Sequence, residues 1–117
     1  MASGKVSKIQ TKQTALFAPS APQEVAVNTS YTLLDSRSTP SYITVTFIFY
    51  TTTTATASTR VSFGDIADVA ASDHSVGAWV NGVFEEIRYS IHDGNLQFQK
   101  LPSTQLYLHR IYAKLVE

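Results

Sequence analysis

The dipeptide Asn81-Gly82 constrains this chain more than any other feature. It sits between a short apolar run, Val76 to Val80, and a run in which Val83, Ile87, Tyr89 and Ile91 recur at odd positions. Asn and Gly best tolerate positive φ at both central positions of a type I′ turn, whose twist matches a two-residue β-hairpin. A hairpin is therefore expected here. A second follows at His92-Asp93-Gly94-Asn95, after which Leu96 and Phe98 share one strand face. Leu101-Pro102-Ser103-Thr104 breaks the chain before the apolar stretch Leu106 to Val116. Ser75 to Glu117 thus reads as a consecutive antiparallel meander of four strands and three tight turns.

Upstream, Tyr42 to Tyr50 is almost entirely β-branched or aromatic, with Ile43, Val45, Phe47 and Phe49 alternating. That composition suits a pleated surface and predicts a strand. The Thr-rich run Thr51 to Thr59 follows, read as a loop leading into a returning strand through Arg60, Val61, Ser62 and Phe63. Val25, Val27, Tyr31 and Leu33 hold alternate positions, so Glu24 to Leu34 reads as one half-buried strand, ended by the polar loop Asp35 to Pro40. Gly64 to Ser75 reads as a long connection.

Residues 1–22 read as an extended arm and proline linker, and residues 23–117 as a single domain. Met1 to Lys12 has too little apolar surface to offset an ordering entropy of about 1 to 2 kcal/mol per residue. It is expected to be mobile in an isolated subunit or, if ordered, to lie on another subunit or a sheet edge. Seven or eight short strands without a useful helix predict an all-β chain, an antiparallel β-sandwich of jelly-roll type. In the final strand Leu106 and Leu108 share a parity that Ile111, Ala113 and Leu115 do not. Either a bulge near His109-Arg110 resets the register, or both faces are buried and one needs a neighbouring subunit.

Nine Lys and Arg balance nine Asp and Glu. Zero formal charge gives no support for long-range attraction to nucleic acid or an anionic membrane, and Lys5, Lys8 and Lys12 without interleaved aromatics read as a solvated arm. Val61 to Asp93 forms an acidic middle, with Arg88 as its one cation. Cysteine is absent, which excludes disulfides and thiolate metal sites. The longest apolar run is too short to span a bilayer, and the start lacks the apolar core of a secretory signal.

The chemical candidates are sparse. His74, His92 and His109 lack metal-ligand spacing and read as loop histidines; Asp65, Asp68 and Asp73 lack the pattern of a calcium loop. Glu85 and Glu86 are adjacent on a strand, so they point to opposite faces and cannot flank one bond. No Gly-x-Ser-x-Gly elbow is present. These readings imply no enzyme, no cofactor and no metal. Trp79, six tyrosines and six phenylalanines remain, and most of these are expected to fill the core. Tyr42, Tyr50, Asp73, His74 and Tyr107 are the candidate ligand contacts, and Tyr107, Ile111, Tyr112 and Leu115 the candidate oligomer contacts.

Gly82-Val83-Phe84-Glu85-Glu86-Ile87-Arg88-Tyr89 through Tyr107-Leu108-His109-Arg110-Ile111-Tyr112-Ala113-Lys114-Leu115-Val116 resembles the C-terminal knob domains of bacteriophage tail fibres and receptor-binding proteins. Those knobs are small, cysteine-free, Thr/Ser/Tyr-rich β-sandwiches. The resemblance implies a homotrimer that recognises host-surface glycan or protein through tip loops, on a virion or outside the cell. It assigns no binding residue. The alternative is a structural virion subunit, such as a capsid decoration, collar or adaptor protein, held by other virion proteins.

Overall fold

The computed structural model describes residues 11–35, 42–67 and 73–116. Residues 1–10, with Lys5 and Lys8, residues 36–41, residues 68–72, with Asp68, and residue 117 lie outside the described residues. Nine strands are present among those described: β1 (Thr11–Phe17), β2 (Gln23–Glu24), β3 (Ser30–Thr32), β4 (Tyr42–Tyr50), β5 (Arg60–Asp65), β6 (His74–Val80), β7 (Val83–His92), β8 (Asn95–Lys100) and β9 (Tyr107–Val116). A 3-10 turn at Ala57–Thr59 is the one helical element among the described residues. No helix among them is long and apolar enough to cross a membrane.

The strands form an antiparallel β-sandwich. One sheet runs β1-β9-β4-β5 with β2 also on β9, and the other runs β3-β8-β7-β6. Early strands pair with late ones, β2 with β9 and β3 with β8, which is the jelly-roll element of the topology. Between the sheets lie Phe47, Phe49, Phe63, Tyr89 and Phe98, all fully buried. Phe47 makes an edge contact with Tyr89 at 4.8 Å between centroids and also meets Phe98 at 5.7 Å, so each sheet contributes to one aromatic centre.

Both expected hairpins are present. Asn81 and Gly82 have φ of 51° and 80°, and Asp93 and Gly94 have 52° and 75°, the paired positive values of type I′ turns. The meander holds for β6, β7 and β8 but stops there. Leu101 to Leu106 carries the chain across to the other sheet, where β9 becomes a central strand between β4 and the β1/β2 side. Burial explains the crossing: Leu108, Ile111 and Ala113 supply an inward face that β4 alone leaves uncovered.

Upstream the structure departs from the sequence expectation. Glu24 to Leu34 is not one strand. Asn28 takes a positive φ of 59° and its N–H donates to the Phe98 carbonyl at 2.8 Å, so the chain turns from β9 to β8 and Val27 is left exposed. Ahead of Gln23 the chain adds a strand at a sheet edge. Thr11–Phe17 pairs with β9 of the same chain, and Leu16 is fully buried, an anchor sufficient to fix the strand.

The irregularity in the last strand is a bulge. Ile48 pairs with Arg110 and Phe49 with Leu108, so His109 is the extra residue. It turns Leu108 and Ile111 both inward. Ile111 is fully buried in the intersheet core, and that burial corrects its assignment as an oligomer contact. Tyr107 and Tyr112 face outward and are half-buried, while the side chain of Leu115 lies outside the described residues.

Candidate binding surface

The residues expected to contact a ligand do not converge. Tyr50 and Tyr107 are register partners on the outer face of the five-stranded sheet, and the Tyr50 ring meets His109 edge-on at 5.6 Å. Asp73 instead immediately precedes β6, which His74 opens, and the His74 ring stacks on Tyr89 at 5.0 Å. Tyr42 contributes backbone to β4, and its side chain lies outside the described residues. The three histidines belong to strands, not loops: His74 opens β6, His92 closes β7 and His109 is the bulge of β9. His109 is partly buried, and its Nε2 atom has no hydrogen-bond partner. Burial, reinforced by the neighbouring Arg110 charge, pushes its pKa below the ordinary 6.5, against an opposing hydrogen bond to the Pro19 backbone.

A different surface gathers more chemistry. On the outer face of the four-stranded sheet, Trp79 and Phe84 are 73% and 57% exposed and meet edge-on at 5.5 Å. Their positions follow from the hairpin. A two-residue turn makes Val80 and Val83 a hydrogen-bonded pair, so Trp79 and Phe84 form the next, non-hydrogen-bonded pair, whose side chains approach closest. Gly77 completes the platform. A Cβ there would lie 2.2 Å from the Phe84 Cζ, so the missing side chain is what lets the ring lie across the sheet.

Further along β7 stands a polar cluster. The Ser75 hydroxyl donates to Glu86 Oε2 at 2.6 Å, Lys100 Nζ donates to Oε1 at 3.0 Å, and Arg88 Nη2 is 4.0 Å from Oε1. The Ser75 hydroxyl and then Lys100 hold the Glu86 carboxyl below the ordinary 4.5. An open cleft of about 390 Å³ runs between Phe84 and the Leu101–Ser103 crossover, with Glu86 and Lys100 along it.

No family model, curated protein or solved structure matches this chain.

Glu85, next to Glu86, points the other way. Its carboxylate accepts from the Ser103 N–H at 3.4 Å, the Ser103 hydroxyl at 3.2 Å and the Thr104 N–H at 3.2 Å, which ties the crossover to β7. The Thr104 backbone donor leads in lowering its pKa, against the effect of burial. The opposed pair expected from strand geometry is thus present, with one carboxylate structural and the other on the open face. Among the described residues, no three of His, Asp and Glu gather as metal ligands.

Residue type alone predicts a core position for Trp79, and the structure places it on the surface. The sequence carries a signal for this: Trp79 shares parity with Ser75 and Gly77, the polar and small side of β6, and sits opposite to Val76 and Val80.

Proposed function

We propose that this chain is a non-enzymatic binding module that recognises a surface saccharide, as the host-recognising tip of a phage tail fibre or similar particle. The exposed Trp79–Phe84 pair carries this reading. A large aromatic pair on a water-facing sheet is worth keeping exposed only where something covers it in use. Sugar rings present an apolar C–H face that stacks on indole, and their hydroxyls need fixed donors and acceptors at the rim. Glu86, Ser75 and Lys100 offer such groups in an ion-paired, pre-oriented set beside the rings.

The test is binding to a glycan array and to intact bacterial cells, with Trp79→Ala alongside. Losing most of the indole contact removes about 2–3 kcal/mol, roughly a 30- to 150-fold weakening. Binding that is absent, or that Trp79→Ala leaves unchanged, would refute the proposal.

A second reading, a capsid-decoration, collar or adaptor subunit, is favoured by the tyrosines on the opposite face. Tyr50, Tyr107 and Tyr112 are half-buried there without any need of the Trp79 surface. Order of the chain only within a multi-protein particle, and no cell binding, is the result that selects it.

A further inference from the structure

We infer that β6 is a docking edge for a second copy of this chain, pairing antiparallel across a two-fold axis. Among the described residues the sandwich has four open edges: β1, with the two-residue β2 following it along β9, and β5 in one sheet, β3 and β6 in the other. Edge strands expose unpaired backbone groups, and soluble proteins blunt them with shortness, charge, proline or bulges. Three of the four are blunted. β3 has 3 residues, β5 carries Arg60 and Asp65 at its ends, and β1 is interrupted by a register shift between Ala15 and Phe17.

β6 has none of these devices. Its 7 residues, His74-Ser75-Val76-Gly77-Ala78-Trp79-Val80, contain no Asp, Glu, Lys, Arg or Pro, and its register with β7 is continuous from His74–Tyr89 to Val80–Val83. Among the described residues it pairs with β7 alone; β5 of the opposite sheet approaches it without forming a ladder. Because Val80 and Val83 close the hairpin as a hydrogen-bonded pair, the N–H and C=O groups of Ser75, Gly77 and Trp79 point to the free edge.

The occupant follows from the edge itself. With no fixed charge, β6 meets no like-charge repulsion from a copy of itself, and the antiparallel arrangement is the one a two-fold axis generates. Setting Gly77 against Gly77 of the second copy overlaps all of β6. It places Ser75 opposite Trp79 and engages every outward group, on the order of six hydrogen bonds. The two four-stranded sheets then become one continuous sheet, and the two Trp79 side chains lie about 13 Å apart along one face. The inference stands on edge geometry and does not depend on what that face binds.

The test is sedimentation of the full chain from micromolar to millimolar concentration, with hydrogen exchange read at single amides. A reversible dimer is expected, with the Ser75, Gly77 and Trp79 amides protected in concentrated and exchanging in dilute samples. Ser75→Pro removes an outward donor while leaving the β7 ladder complete, so it is expected to fold, with an unchanged far-UV spectrum, as a monomer. A wild-type monomer throughout the range overturns the inference. So does protection of those amides that is independent of concentration, as cover from β5 of the same chain would give, a readout that stands even if Ser75→Pro does not fold.

Discussion

Ile111 lies between the two sheets with no exposure, in register with Phe47 on β4 and Phe17 on β1. Truncation to Ala removes buried methylene and methyl groups from a site fixed on both sides by ladder hydrogen bonds, so the surroundings have little freedom to collapse. The cost belongs in the upper part of the usual range for such truncations, about 4 kcal/mol. A chain of this size has a total stability of about 6–18 kcal/mol, so Ile111→Ala is expected to fold. In urea its midpoint falls by roughly 2 to 3 M. Ile111→Asp adds an unpaired carboxylate in the same place, several kcal/mol more, and is expected not to fold. Far-UV circular dichroism is the suitable probe, since Trp79 is largely exposed already and its fluorescence reports little on the core. Tyr112→Asp, half-exposed on the outer face, is the control and is expected to retain the sheet signal. A folded Ile111→Asp chain whose defect is confined to association would refute the reasoning and return Ile111 to a subunit contact.

Acidification should act in two windows. The His109 pKa is lowered in the fold, so the unfolded chain binds the extra proton first and stability falls as pH drops below 6.5; His109→Gln should remove that first decline in a pH series of melting curves. Glu85 and Glu86 have lowered pKa values, so their contribution is full above 4.5 and is lost as pH falls through their folded values; Glu85→Gln should flatten this second loss. At Gly82 nothing lies within 4 Å of the point where a methyl group would project, so Gly82→Ala should cost only the conformational penalty of its φ of 80°, roughly 1 kcal/mol by urea denaturation. Gly77→Ala must displace the exposed Phe84 ring, and is expected to change stability by less than about 1 kcal/mol while altering the near-UV aromatic signal and weakening saccharide binding.

Local chemistry is legible in the sequence wherever it decides structure within a few residues. Asn81-Gly82 and Asp93-Gly94 specify their hairpins because positive φ is a property of the dipeptide itself. Tyr42–Tyr50 is legible because almost every residue in it prefers a pleated, buried setting. Partner choice is not. Alternation says which side chains share a face but not which sheet owns the strand, so the departure of β9 from the meander and the division at Asn28 have no local signal strong enough to read. Leu16 anchors β1 with one side chain, too little for periodicity to register. At Trp79 residue type and parity on β6 disagree; parity decides, and the candidate surface is visible only to a reading that weighs it first.

The position of β9 has a kinetic consequence. β1, β2 and β4 meet only through it, and the β1–β9 ladder joins Thr11 to Val116. During synthesis β4 and β5 can close their own hairpin, and β6 to β8 can form as a local unit, but β1 and β2 have no strand to pair with until β9 emerges. Such long loop closures precede any gain from the contacts they bring, which places this fold among the slower, millisecond-to-second sandwiches. Until then the inward faces of both early strands remain open to the wrong partner, so the chain is most vulnerable to misassembly before its central strand is inserted.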